Sequence, residues 1–187
     1  MFLRQILAFF MVCFSTTALA DALDINLRDS SAQLQYFASM GRDTLGRSEL
    51  HAGVLYTNDT NTLVDLGILV QDEMGENAPG VTVGVGLKGL VANTRNNNAK
   101  ALALGGLVRF APFEDSRFGI SGTIYMSPNI TTFGDADRYI ETGVKLDYEV
   151  IPQAIIYIGY RKIRISINQS PDERLDDGGH IGFKISF

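Results

Sequence analysis

The sequence is poor in the residues from which several kinds of site are built. It has one cysteine, Cys13, only two histidines and no tryptophan among 187 residues. A single thiol forms no internal disulfide and no multi-cysteine metal site. The net charge of −5 at pH 7 provides no broad basic surface for nucleic-acid phosphates. The composition therefore argues against a disulfide scaffold, a cysteine-based metal centre and nucleic-acid binding, and the length is consistent with one domain.

The first twenty residues show the sequence of segments that is typical of a secretory signal peptide, and no long apolar run follows them. Arg4 precedes an apolar segment over 6–14, and Ala18-Leu19-Ala20 follows it. The apolar segment is shorter than the ~20 residues of a transmembrane helix. We expect cleavage before Asp21 and one exported domain over 21–187. That domain has no cysteine and, with 15 basic and 21 acidic residues, a net charge of −6.

What the exported part does contain is strict alternation of apolar and polar residues. From Tyr139 to Val150 the even positions are mostly apolar and the odd positions mostly polar, and residues 180–187 repeat the pattern. A period of two predicts β-strands and not amphipathic helices. Without a run of about 18 apolar residues, an exported chain of this kind either stays soluble or enters a membrane as strands.

Alternating segments separated by turn-rich stretches predict an antiparallel up-and-down transmembrane β-barrel, with ten strands favoured and eight as the alternative. The predicted strands are 23–28, 32–38, 48–57, 62–71, 80–92, 99–110, 117–127, 138–150, 154–168 and 178–187. The segment 154–168 is the least regular, because Ile156 and Ile158 share a face with Lys162 and Arg164. A bulge near Gly159 would restore its phase.

Three features favour a membrane barrel over a soluble one. Many of the strands reach ten to thirteen residues, which is longer than the usual ~5 to 6 of soluble sheets. Aromatic residues near strand ends are typical of an interfacial girdle; they are Tyr56, Phe110, Phe118, Tyr125, Tyr139, Tyr148 and Phe187. The chain also ends on an aromatic residue, Phe187, in an alternating strand, which is typical of a signal for the barrel-assembly machinery. We therefore expect the outer membrane of a Gram-negative bacterium.

Four segments carry a resemblance to a known family. They are Tyr125-Met126-Ser127-Pro128, Phe133-Gly134-Asp135-Ala136 followed by Tyr139, Gly159-Tyr160-Arg161-Lys162 and Gly182-Phe183-Lys184-Ile185-Ser186-Phe187. The chain resembles the YfaZ family of outer-membrane proteins over most of the exported part. The resemblance implies the location and the fold, but it implies no settled biochemical activity and no catalytic residue.

The predicted register turns a set of charged side chains of both signs toward the barrel lumen. They are Glu49, His51, Asp65, Lys88, Arg109, Arg117, Glu141, Lys145, Asp147, Glu149, His180 and Lys184. A barrel of eight to ten strands is only just wide enough for side chains to fill, so charges inside must pair or stay hydrated. The favoured interpretation is an internal ion-pair network in a barrel with a structural or envelope-associated role. The alternative is a narrow porin-like path for small solutes or ions.

An enzymatic role is a second alternative. His51 or His180 could act as the base for a nearby hydroxyl such as Ser48 or Ser186 in a lipid hydrolase or acyltransferase. No motif selects these residues, so we predict no catalytic, cofactor-binding or metal-binding residue. The glycines of Gly84-Val85-Gly86-Leu87-Lys88-Gly89 lie inside an alternating strand, where inward glycines make room in a crowded lumen, and not in a dinucleotide-binding turn.

The expected partners are those of an envelope barrel. We expect contact with outer-membrane lipid and lipopolysaccharide, transient contact with the barrel-assembly machinery, and a monomer. Two acidic pairs, Asp172-Glu173 and Asp176-Asp177, lie in a turn-rich stretch. They could hold divalent cations beside lipopolysaccharide phosphates, but a solvated loop is the favoured interpretation.

Overall fold

The computed structural model describes residues 22–44, 46–58, 61–94, 98–112, 117–134, 136–167 and 173–187. The predicted signal peptide and its cleavage site lie outside these ranges. Eleven strands and two short 3-10 turns, Gly75–Asn77 and Asn129–Thr131, make up the described secondary structure. In this part of the chain, no helix is long and apolar enough to span a bilayer.

The strands form one closed antiparallel sheet. They are β1 (Ala22–Leu27), β2 (Ser31–Asp43), β3 (Gly46–Thr57), β4 (Thr62–Glu73), β5 (Val81–Asn93), β6 (Asn98–Phe110), β7 (Phe118–Ser127), β8 (Thr132–Gly134), β9 (Ala136–Ile151), β10 (Ala154–Ile167) and β11 (Glu173–Ser186). Consecutive strands pair with one another from β1 to β7 and from β9 to β11, β1 pairs with β11, and β7 pairs with β9. The three-residue β8 lies beside the start of β6, above β7. The predicted ten-stranded barrel is therefore confirmed, with β8 as a short insertion.

The two ends of the barrel are distinguished by the chain termini. Ala22 lies opposite Ser186, so the described chain starts and finishes at the same end, which we call the lower end. The connections that follow β2, β4, β6 and β9 are also at the lower end, because successive strands run in opposite directions. The connections that follow β1, β3, β5, β7 and β10 lie at the other end, which we call the upper end.

The outer surface carries a continuous apolar belt. Large aliphatic side chains on the outward positions are between 45% and 66% exposed; they include Val54, Val64, Leu66, Ile68, Val85, Leu87, Leu104, Val108, Ile124, Val144, Leu146, Ile156, Ile158 and Ile181. The inward positions of β9, which alternate with these outward ones, are shielded from solvent: Tyr139 is fully buried and Asp147 is 9% exposed. Apolar residues facing outward and polar residues facing inward are the arrangement of a transmembrane barrel.

Strand β10 corrects the expectation of a bulge near Gly159. Its register with β9 and β11 is unbroken around Gly159. The irregularities lie at its two ends in the pairing with β9, and between Ile163 and Arg164 in the pairing with β11. The alternation continues in one phase, so Ile163 and Ile165 point inward, while Lys162 and Arg164 take the outward positions. The prediction was wrong because it assumed an apolar outer face along the whole strand, whereas the upper end of β10 extends beyond the belt.

The aromatic residues divide between the two faces. Tyr56, Phe110, Phe118 and Phe187 are exposed on the outer surface near strand ends, as predicted. Tyr125 and Tyr139 are instead buried inside the barrel. Their positions on the inward side of β7 and β9 follow from the alternation, which determines sidedness more strongly than the residue type does.

Candidate functional site: the lumen

The lumen has two parts with opposite chemistry. Its upper part is filled by a cluster of buried apolar side chains, here called the apolar plug. The plug consists of Leu55, Leu63, Leu90, Ala92, Ala99, Ala101, Ala103, Tyr125, Ala136, Tyr139, Ile163, Ile165 and Leu175. Below it lies a polar cavity of about 350 Å³, here called the lower cavity. The wall changes from polar to apolar within one inward position of each strand. Going upward, Lys88 is followed by Leu90, Arg161 by Ile163, and Glu141 by Tyr139.

Most of the residues predicted to face the lumen line the lower cavity. They are Glu49, His51, Lys88, Arg109, Glu141, Lys145, Asp147, His180 and Lys184. Asp65 is buried beside the cavity wall, with its carboxylate 3.7 Å from Nε2 of His51. Glu149 lies further along β9 toward the lower end and is not part of the cavity wall.

Arg117 is not part of the cavity wall. It precedes β7 and is exposed in the connection after β6, where it has no place in the strand alternation. Its carbonyl oxygen accepts a hydrogen bond from the backbone N–H of Glu149 at 2.7 Å. Strand periodicity therefore could not fix the direction of its side chain.

Two ion pairs lie deepest in the cavity, against the plug. The ammonium of Lys88 donates a hydrogen bond to the Glu141 carboxylate and lies 4.5 Å from the ring centre of Tyr125. The Tyr139 hydroxyl donates to the same carboxylate at 2.5 Å. Charged groups removed from water are stable only when they are paired and hydrogen-bonded, and this carboxylate has two donors.

The second deep pair joins Arg161 of β10 to Asp176 of β11. The guanidinium donates two hydrogen bonds to one carboxylate oxygen, at 2.9 and 2.6 Å. Arg28, above β1, donates to the other oxygen at 2.9 Å. Arg161 also donates to the side chains of Asn26 and Gln33. This network ties β1, β2, β10 and β11 together where the barrel closes.

Sequence reasoning did not place Asp24, Asn26, Gln33, Arg161 or Asp176 among the charged and polar residues of the lumen. Asp24 and Asn26 belong to a strand that was predicted, and their alternation with Leu23 and Ile25 was visible. Arg161 would have been found if the phase of Tyr157 had been continued along β10. Asp176 was assigned to a loop, whereas β11 already begins at Glu173.

The acidic pair Asp176-Asp177 is therefore part of a strand and not of a solvated loop. Asp176 faces inward to the arginines. Asp177 faces outward, where it accepts a hydrogen bond from the Tyr160 hydroxyl and lies 3.5 Å from Nζ of Lys162. Both carboxylates already pair with Lys or Arg side chains, so these two residues are poorly suited to bind a divalent metal ion. In the ranges that the structure describes, no cluster of His, Cys, Asp or Glu is arranged to hold one.

The charges become more accessible toward the lower end. Arg109 donates to Asp147 at 2.6 Å, and the ammonium of Lys145 lies 3.4 Å from Asp24. The side chains of Arg109 and Lys145 are 38% and 32% exposed, compared with 5% for Lys88. The lower cavity is therefore open toward the lower end and closed above by the plug.

The serine and histidine pairs considered for catalysis are not assembled. Ser48 and His51 are three residues apart in β3, so they point to opposite faces of the sheet. Ser186 and His180 share a face of β11, but six residues in an extended strand separate them by about 20 Å. Neither histidine can therefore activate the serine proposed for it.

Two glycines of the Gly84–Gly89 segment make room inside the barrel, as predicted. A Cβ atom on Gly86 would lie 2.6 Å from the Tyr125 hydroxyl, and one on Gly84 would lie 3.0 Å from Gln71. The segment is the interior of β5. It therefore offers no strand-to-helix turn of the kind that binds a dinucleotide.

Comparison with known proteins gives a family and a set of distant structures. The model of the family described as YfaZ precursor matches residues 5–187. No curated protein sequence matches the chain. Among solved structures, a KdgM porin is 12% identical, with a TM-score of 0.45, and the alignment covers 90% of this chain and 99% of the porin. The outer-membrane channel DcaP of Acinetobacter baumannii is 9% identical, with a TM-score of 0.46 and coverage of 92% and 55%.

Proposed function

From the premise that the chain belongs to the YfaZ precursor family and folds as a closed transmembrane barrel, we propose that it has a structural role in the bacterial envelope and does not conduct solutes. The observation that carries this proposal is the apolar plug. Its central residues Tyr139, Ile163 and Ile165 are at most 2% exposed. An ion crossing this layer would lose its hydration shell without gaining a polar partner, which is strongly unfavourable.

The ion pairs below the plug support the same role. Lys88 with Glu141 and Arg161 with Asp176 connect strands that are distant in sequence. Groups that already neutralise one another in the wall are poorly placed to exchange partners with a passing solute. We infer that these charges fill and brace the lumen.

A narrow channel is the alternative. It is favoured by the volume of the lower cavity, about 350 Å³, and by a wall that carries charges of both signs. A water-filled path would require the plug to move aside. The two functions therefore differ in whether the plug residues open.

The proposal includes the cellular location. We propose that residues 1–20 are removed during export, that Phe187 serves as the assembly signal, and that the mature protein is a monomer in the outer membrane. The apolar belt supports membrane insertion, and the exposed position of Phe187 at 66% leaves its ring accessible to a binding partner. Fractionation of cells would test the location, because a soluble periplasmic pool without a membrane form contradicts it.

Planar bilayers test conduction directly. We expect no reproducible unitary currents from the wild-type protein. A variant with Leu55→Ala, Ile163→Ala and Ile165→Ala should conduct, because it removes bulk from the plug. The matched control, Leu146→Ala, Ile156→Ala and Ile158→Ala, makes the same changes on the lipid-facing side and should stay silent.

Two results would count against the proposal. Unitary currents from the wild-type protein would favour the channel. A plug variant that is folded, as judged by heat-modifiable migration on gels, but remains silent would show that something other than the plug blocks the lumen.

A further inference from the structure

A group of basic residues lies on the outer surface at the upper ends of β9, β10 and β11. It consists of Arg138, Lys162, Arg164 and Arg174, and we call it the basic cluster. Arg138 is exposed, and the side chains of Lys162 and Arg174 are 34% and 66% exposed. These residues take outward positions in strands whose lower outward positions form the apolar belt.

The strand register brings the four side chains close together. Arg164 lies opposite Arg174 of β11 and opposite Ile140 of β9. Lys162 lies one outward position lower, opposite Asp177. Because neighbouring strands are about 4.8 Å apart, the cluster spans three strands over a width of about 10 Å.

Only part of this positive charge is neutralised by the nearby acid. Asp177 lies 3.5 Å from Lys162 and 3.8 Å from Arg174, and it accepts a hydrogen bond from Tyr160. Among the described ion pairs, Asp177 neutralises part of the charge of Lys162 and Arg174, and no acid is paired with Arg138 or Arg164. Among the described residues, the cluster therefore retains a net positive charge.

Directly below the basic cluster, the outer surface forms shallow apolar grooves. One runs between Leu27, Ile158 and Ile181, with the ion pair of Arg28 and Asp29 at its edge. Another continues down the barrel between Ile156 and Phe183. A ligand that fits both features has several anionic groups at one end and hydrocarbon chains at the other.

We propose that the basic cluster and these grooves form a binding site for a lipid with two or more phosphate groups and several acyl chains, which is the chemistry of lipopolysaccharide. Its phosphates bind Arg138, Lys162, Arg164 and Arg174, and its chains lie against Ile158 and Ile181. Guanidinium groups bind phosphate oxygens through paired, charge-assisted hydrogen bonds. This inference rests on the proposed outer-membrane location, with the upper end in the outer leaflet.

The test is titration of the refolded full-length mature protein in detergent with purified lipopolysaccharide. Each Lys or Arg near an anionic lipid surface contributes about 1 kcal/mol. The variant with Lys162→Ser, Arg164→Ser and Arg174→Ser should therefore bind at least about tenfold more weakly. The control with Arg42→Ser, Lys100→Ser and Arg117→Ser removes three exposed charges elsewhere and should bind as the wild type does.

A change in the opposite direction separates binding from a structural role. Asp177→Asn removes the acid that competes for Lys162 and Arg174, so lipopolysaccharide should bind more tightly. Chemically dephosphorylated lipopolysaccharide should bind the wild type and the Lys162, Arg164, Arg174 variant equally. These outcomes do not depend on whether the lumen conducts.

Three results would overturn the proposal. Unchanged lipopolysaccharide binding by the cluster variant would remove the cluster from the site. Displacement of lipopolysaccharide by inorganic phosphate at comparable concentration would indicate a site for free anions. Equal, cluster-dependent binding of phosphatidylglycerol vesicles would indicate a general anionic surface and not a site for a lipid with several phosphates.

Discussion

The lower part of β9 and the upper part of β10 place polar and apolar residues on opposite sides of the barrel wall. In the lower part, charges such as Lys145 and Asp147 face the lumen, while Val144 and Leu146 face outward. In the upper part, Ile163 and Ile165 fill the lumen, while Lys162 and Arg164 take the outward positions. The wall therefore follows the rule of a membrane barrel in the lower part of β9 and that of a water-soluble barrel in the upper part of β10. Strands β3 to β6 carry apolar residues on both sides of the wall beside the plug.

This difference shows that the solvent outside the wall, and not the strand itself, determines which side is apolar. A strand that is longer than the membrane is thick needs both patterns in sequence. The upper part is stabilised chiefly by hydrophobic burial within the plug. The lower part depends on pairing of the charges that face the lumen.

The largest expected effect is at Asp176, where the two parts meet. Asp176→Ala would leave the buried Arg161 guanidinium without its carboxylate, which should lower the free energy of unfolding by about 3 to 5 kcal/mol. Urea unfolding of the protein in detergent measures this loss. The control is Asp29→Ala, because Asp29 also binds Arg28 but its side chain is 86% exposed, and it should change stability little. Equal losses in the two variants would contradict the buried network.

A comparable effect is expected in the plug. Ile163→Ala leaves a cavity among packed side chains and should cost about 2 to 5 kcal/mol. Ile158→Ala, five residues earlier and on the lipid-facing side, should cost much less, because lipid chains can fill the space. The two free energies of unfolding are measured under the same conditions. If Ile158→Ala were the more damaging change, the inside and outside of β10 would have to be exchanged.

The outer face of β9 gives a graded test of depth. Val144→Arg places a cation in the apolar belt and should cost about 2 to 4 kcal/mol. Thr142→Arg, at the next outward position toward the upper end, should cost less, because the penalty falls toward the interface. Lys145→Ala, on the lumen side, should cost less than Val144→Arg, because the Asp24 carboxylate keeps the hydrogen bond from the Tyr157 hydroxyl. Measured stabilities in the reverse order would indicate an inverted register.

The smallest effect on the folded protein is expected at the C-terminus. Deletion of Phe187 removes one exposed aromatic side chain, whose burial against lipid contributes at most about 3 kcal/mol. If the assembly machinery binds this ring, the outer-membrane yield in cells should fall much more than the refolding yield into detergent. Equal losses in the two assays would make Phe187 an ordinary packing residue.

The ten strands could be predicted because alternation is a local property that each segment carries by itself. The sidedness of β9 followed from the same pattern, and most of the charged lumen residues followed from that sidedness. The upper ends of β10 and β11 could not be obtained in this way. Lys162 and Arg164 look like breaks in the alternation unless the level at which the membrane ends along β10 is known. That level depends on how all ten strands are staggered.

The pairing of charges was equally inaccessible from the sequence. Lys88 and Glu141 are 53 residues apart, and Arg28 and Asp176 are 148 residues apart. Their contact depends on the circumference of the barrel and on the shear of its strands. The apolar plug was missed for a related reason, because its members come from many strands and each contributes one to three ordinary apolar residues.

The barrel is closed by a short seam. Strand β1 pairs with β11 over six residues, whereas β10 pairs with β11 over twelve. Its two sides come from opposite ends of the chain, so joining them carries the largest loop-closure entropy and gains few hydrogen bonds. We therefore expect this contact to form last during biogenesis. Until then, two unpaired sheet edges are open to association with other chains. The newly exported polypeptide therefore needs a chaperone that binds it until β1 and β11 pair.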